Sequence, residues 1–209
     1  MQNMLYDYLL ETFGQNEPIF LSDIAYENYS EIWLKKELAK LCDSGQITRY
    51  ERDIYYIPVK TPFGNSILNP NRIIERKYIS ENGKRIGFYT GITALQQAGL
   101  STQMSNIPEI QTNNENSKLR RVKVGNQDVI LRKARVKIDN DNIFVLQFLE
   151  MMNSTSSSYF DDERKVVIKN WIRKYNISQE LVTKYAPFFP DKTMRNLIES
   201  GVIYYIEKL

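Results

Sequence analysis

Ser30-Glu-Ile-Trp-Leu34-Lys-Lys-Glu-Leu38-Ala-Lys-Leu41-Cys-Asp-Ser-Gly45-Gln-Ile-Thr-Arg-Tyr50-Glu-Arg-Asp53-Ile-Tyr-Tyr-Ile-Pro58 decides the reading of the fold. Leu34, Leu38 and Leu41 recur at i, i+4 and i+7, the spacing of one buried helical stripe. Ser30 stands where a serine caps a helix N-terminus. Gly45 stands where a helix gives way to a left-handed residue. The pattern then changes period. Residues 46–50 and 53–58 alternate and are rich in β-branched and aromatic side chains, so they predict two strands joined near Glu51-Arg52-Asp53.

Outward from this stretch, residues 3–13 predict an amphipathic helix, ended by Gly14 and kept from resuming by Pro18. Phe20-Leu-Ser-Asp-Ile predicts a short second helix capped by Ser22. Three helices followed by a hairpin within about 60 residues is the winged-helix order, with the second and third helices forming a helix-turn-helix. Pro62 and Gly64 place a linker, so residues 1–62 are expected to form the first domain.

Residues 63–209 predict a second domain, mixed α/β over 63–153 and helical over 154–209. Its helices are expected at 70–79, 91–98, 140–152, 162–174, 178–186 and 191–200. Residues 106–113 are expected to be extended. A second hairpin, 120–124 with 129–135, turns at Gly125-Asn126. Residues 154–158 read as a flexible connector. The expected class is therefore α+β: an N-terminal winged helix-turn-helix, then a mixed α/β domain ending in helices.

Composition removes several kinds of chemistry. The 209 residues contain no histidine and one cysteine, Cys42. Ser-His-Asp and Cys-His nucleophile systems and the common zinc sites all need residues that are missing. No apolar run reaches the roughly 20 residues of a membrane helix. The opening residues lack the basic and apolar regions of a signal peptide. The expectation is a cytoplasmic protein that binds no membrane, metal or cofactor and is not an enzyme. Asp139-Asn-Asp141 has the D-x-D form of a metal-binding pair, and Gly64-Asn-Ser66 echoes a Gly-Ser turn, but the two lie far apart. Asp139 and Asn140 sit where a helix cap belongs.

The net charge of +3 is unevenly spread. Residues 1–62 carry six basic and ten acidic side chains, and residues 63–139 carry thirteen and six. In a helix-turn-helix the N-terminal half of the second helix enters the major groove. That half offers Ser30, Trp33, Lys35 and Lys36, with Lys40 further along and Arg49 and Arg52 in the hairpin. These seven are the expected DNA contacts, against the alternative of a solvated helix face. Residues 1–34 hold six acids and no Lys or Arg, which weakens phosphate attraction there. Lys118, Arg120, Arg121, Lys123, Arg132, Lys133 and Arg135, with Lys137 beyond, make the middle of the chain basic, and since alternate strand residues share a face, some of them can form a basic stripe. It can meet nucleic acid, an acidic protein surface or only solvent.

Residues 38–58 resemble the end of the winged helix in AbiEi-type antitoxins, which read L-x-x-L-x-x-x-G-x-I-x-R, then G-x-Y and a proline. Asp53 stands where that wing often has glycine. Tyr89-Thr-Gly91-Ile-Thr-Ala-Leu95-Gln-Gln-Ala-Gly99-Leu-Ser-Thr-Gln103 is similar to a second block of a related antitoxin-like family, and Ile110-Gln-Thr-Asn113 fills the extended segment that follows it. The resemblance spans about residues 20–150. It implies a winged helix that represses its own promoter, usually at inverted repeats in double-stranded DNA. It also implies that the C-terminal domain, 63–209, opposes a nucleotidyltransferase-like toxin, as in abortive-infection systems, with no family role carried onto residues 151–209. Without the resemblance, a protein-interaction module on a winged-helix scaffold remains open.

Overall fold

The computed structural model describes residues 4–26 and 29–206. The architecture is α+β, in two compact units, Met1–Ile74 and Glu75–Leu209. Among the described residues, no helix is long and apolar enough to cross a membrane.

In the first unit, α1 (Met4–Phe13) leads to β1 (Ile19–Phe20) and a 3-10 turn, Leu21–Asp23. Then come α2 (Glu31–Asp43), β2 (Thr48–Glu51) and β3 (Ile54–Tyr56). The strands form an antiparallel sheet in the order β1-β3-β2. Leu34, Leu38 and Leu41 face inward from α2 and meet Leu5 and Leu9 of α1, with Ile19, Leu21, Ile24, Ile47, Tyr55 and Ile57 completing the core. Gly45 has the expected left-handed backbone, φ +70. So does Asp53, at φ +59, beside a register shift in β2. Aspartate tolerates that region better than most residues with a Cβ, so the hairpin turns without glycine.

The expected second helix is not there. The chain makes only the 3-10 turn, and the Ser22 hydroxyl donates to Asp23 Oδ1 at 3.3 Å instead of capping anything. Ile19 and Phe20 have paired with Tyr55 and Ile54, so the segment is extended immediately before the turn. Residue 3 of the expected first helix lies outside the described residues.

Pro62 and Gly64 do not form a linker. They lie in a small hairpin, β4 (Lys60–Thr61) with β5 (Gly64–Asn65). Ser66 fastens this hairpin to the first unit. Its hydroxyl accepts from Val59 N–H at 2.8 Å and donates to Asn16 Oδ1 at 2.6 Å. Arg72 pairs with Glu17 at 2.8 Å. The first unit therefore runs on to Ile74, at the end of α3 (Pro70–Ile74).

The second unit opens with a π-helical turn, Glu75–Ile79, and a hairpin of β6 (Ser80–Glu81) and β7 (Lys84–Arg85). Next come β8 (Gly87–Thr90) and α4 (Gly91–Gln97), then β9 (Glu109–Thr112), β10 (Arg120–Val124) and β11 (Gln127–Lys133). The sheet order is β10-β11-β9-β8, with β9 and β11 parallel and the other pairs antiparallel. α5 (Ile143–Ser154) packs on β8 and α4 and is the centre of the core. α6 (Asp162–Lys174), α7 (Gln179–Tyr185) and α8 (Asp191–Glu199) complete it, burying Ile168, Ile172, Val182 and Leu197. The expected connector at 154–158 is only a break, closed by a 3-10 turn at Ser157–Tyr159.

Asp139 closes the start of α5. Its Oδ1 accepts from the N–H groups of Asp141 and Asn142, both at 3.0 Å, and Asn142 Oδ1 accepts from Asp139 N–H at 3.0 Å. The first acid of the D-x-D motif is thus engaged by backbone N–H groups just before α5. Among the described residues, no group of three or more His, Cys, Asp or Glu side chains is placed to hold a metal.

Candidate nucleic-acid interface

The inward leucines of α2 leave Ile32, Lys36, Ala39, Lys40 and Asp43 exposed on its other side. Ser30 caps the helix, its side chain accepting from Trp33 N–H at 3.3 Å. That hydroxyl serves the helix first. Trp33 is half-buried and stacks on Tyr29, ring centres 3.9 Å apart and 15° from parallel. Tyr26 extends the stack, and the Tyr8 hydroxyl accepts from Ala25 N–H at 3.2 Å. The indole therefore braces the approach to α2 and is only partly available to a ligand.

The expected cations are present but mostly paired. Lys35 meets Glu31 at 2.5 Å and Asp53 at 3.8 Å. The hydrogen bond to Glu31 is the main reason that its ammonium is held above the usual lysine range. Lys40 meets Glu37 at 2.6 Å. Arg49 Nε donates to the Glu51 carbonyl at 3.3 Å, and Arg52 lies 3.5 Å from Asp53. Lys36 is exposed and pairs with no described carboxylate. Exposed pairs of this kind are weak and screened by salt, so a phosphate can exchange for the carboxylate.

Helix and hairpin meet at one cleft of about 440 Å³. It is lined by Lys35, Ala39, Cys42, Asp43, Arg49, Arg52, Asp53 and Tyr55. Three of the seven expected contacts, Lys35, Arg49 and Arg52, are thereby brought together, and Asp53 stands among them. Burial pushes the Cys42 thiol up, and Asp43 adds to this. A raised thiol is a poor nucleophile.

The basic middle segment divides between the two faces of its hairpin. The β10–β11 register sets Arg121 opposite Ile130 and Lys123 opposite Asp128. Arg121, Lys123 and Arg132 therefore share one face with Asp128, while Arg120 and Lys133 fall on the other. Lys118 precedes the strands and Arg135 follows them. All four arginines are paired: Arg120 with Glu115 at 2.7 Å, Arg121 with Asp128 at 3.0 Å, Arg132 with Glu109 at 2.9 Å and Arg135 with Glu150 at 2.6 Å. Only Lys118, Lys123, Lys133 and Lys137 are exposed without a described carboxylate partner. The arginines are paired with acids that the spacing of the basic residues could not reveal.

Glu115 is the most tightly held of these carboxylates, 4% exposed. Burial alone would raise its pKa. The Ser117 N–H at 2.8 Å and Arg120 outweigh that and hold the carboxyl below the usual range. A carboxyl with a depressed folded-state pKa stabilises the fold above its unfolded value and loses that contribution as pH falls through the folded value. Urea unfolding of Glu115→Gln is therefore expected to show reduced stability at neutral pH, with the gap to wild type closing below about pH 4. A gap that stays constant down to pH 3 would contradict the charged pair.

What fold and site define is an α+β protein with a mixed-charge cleft between a helix and a hairpin. The chain belongs to the family described as "Family of unknown function (DUF6088)", which matches it over residues 11–179, from within α1 to the start of α7. No curated protein matches it.

Proposed function

We propose that this is a cytoplasmic, non-catalytic DNA-binding protein: an autorepressor and antitoxin of AbiEi-like type that opposes a nucleotidyltransferase-like toxin. On this reading the first unit is a winged helix, with α2 as recognition helix and β2–β3 as wing, whose first helix of the helix-turn-helix is reduced to a 3-10 turn. The observation that carries it is the shared cleft, where Lys35 of α2 and Arg49 and Arg52 of the hairpin converge. A helix and a wing that present cations together can grip a groove and its flanking phosphates. The free lysines of β10–β11 supply a second surface for DNA or for toxin antagonism. The antitoxin role rests on the sequence resemblance alone.

The test is binding of the full chain to the duplex upstream of its own gene, across a salt series, with scrambled duplex as control. Lys35→Ala with Lys36→Ala is expected to weaken binding and to reduce the slope of log K against log salt by about 2. Unchanged affinity and slope would remove α2 from the interface.

One observation favours a second reading. Lys35 and Lys40 already have carboxylate partners, and Ile32 of the helix (82%) and Tyr29 before it (45%) are both exposed. A protein-interaction module on the same scaffold would show no salt-steep DNA binding and would co-purify with a protein.

A further inference from the structure

Ile32 is the outlier on α2. It sits in the first turn, three-dimensionally opposite the leucine stripe, and is 82% exposed. Lys36 and Ala39 follow it at i+4 and i+7, and both are exposed. The solvent-facing ridge is therefore a large apolar side chain, then the one lysine of the helix without a described carboxylate partner, then a methyl group. Lys35 and Lys40 lie to either side, held by Glu31 and Glu37.

We infer that Ile32 is a specificity-determining residue that reads the 5-methyl group of thymine in duplex DNA. This rests on the DNA-binding reading above. In the major groove a thymine is distinguished by its methyl group, and apolar side chains recognise it by contact. The first turn of a recognition helix is the part that reaches base edges. Ile32 has the right chemistry and place, with no packing partner to satisfy. Lys36 stands one turn from Ile32 without a described carboxylate partner, while Glu31 of the same first turn is engaged by Lys35, so a cation is free to meet phosphate beside Ile32. The buried Leu34, Leu38 and Leu41 fix the rotation of the helix that points Ile32 outward.

The experiment selects duplexes from a random-sequence library with the full chain, then replaces each thymine of the enriched site by deoxyuridine, which lacks only the methyl. At one thymine at least, wild type is expected to lose about fourfold in affinity, the worth of one buried methyl-sized group. Ile32→Ala is expected to bind the parent site about fourfold more weakly and to be indifferent to that same deoxyuridine. An exposed position makes this variant fold as wild type does. If wild type and Ile32→Ala respond alike to every deoxyuridine, the assignment of Ile32 is overturned while DNA binding stands. If no sequence is enriched, both readings fall together.

Discussion

Gly87→Ala is expected to destabilise the second unit by at least about 3 kcal/mol, the upper range for overpacking a closed site. The cause is a backbone contact. A Cβ at Gly87 would stand 2.0 Å from the Tyr78 carbonyl oxygen and 2.8 Å from that of Gln111. Neither atom belongs to a flexible side chain. Tyr78 is held in the π-helical turn, and Gln111 pairs in β9 next to β8. The methyl group can be admitted only by parting the turn from the sheet. Urea unfolding followed by circular dichroism measures this, and the midpoint should fall sharply. Gly83→Ala is the matched control. Nothing lies within 4 Å of its Cβ, and only the left-handed φ of +75 opposes it, so about 1 kcal/mol is expected. Equal effects at both positions would mean that the approach of Tyr78 to β8 is not close.

The second large effect is expected at Glu150, in α5. Its Oε1 accepts from Arg135 Nε at 2.6 Å and from Gln111 Nε2 at 3.0 Å, and its Oε2 accepts from Asn153 at 3.2 Å. Glu150 is 6% exposed and Gln111 5%. Removing one partner of a buried charged pair costs about 3–5 kcal/mol, because the other group is left without its acceptor. Arg135 keeps a third of its side chain in water, so the lower end is expected for Glu150→Ala, about 3 kcal/mol. Glu150→Gln retains one acceptor and should lose roughly half as much. In Arg135→Met the charge is gone, and Glu150→Leu made on that background should cost markedly less than Glu150→Leu in wild type. Additive losses in that double-mutant cycle would show that the two side chains act independently.

The parts of the fold that could be read from the sequence are those with local causes. The leucine stripe of α2, its Ser30 cap and Gly45 lie within 16 consecutive positions, and each signal acts on its neighbours. The β10–β11 hairpin was legible for the same reason. β1 was not, because two residues show no period, and its strand exists only because Ile54 and Tyr55 lie alongside. β8 escaped likewise: Gly87-Phe-Tyr-Thr is short, begins with glycine and runs straight into α4. At the candidate site the basic residues were legible as residues but not as charges. Arg132 finds its partner 23 positions away and Arg135 finds its own 15 away. Such pairs exist only after the chain has closed on itself, and they decide which cations remain free.

The reach of α5 also has a consequence during synthesis. Gln147 donates to the Tyr89 carbonyl, 58 positions earlier, and Glu150 holds Gln111 from 39 positions away. β8 leaves the ribosome well before the helix that covers it. At translation rates of roughly 5–20 residues per second, the interval from Lys133, where the last strand of the sheet ends, to Ser154 is about 1–4 s. A hairpin such as β10–β11 closes in microseconds, so a sheet with its apolar Phe88 uncovered is the species that waits. The nascent second unit therefore spends seconds in the form most open to chaperones and to neighbouring chains, and the arrival of α5 ends that window.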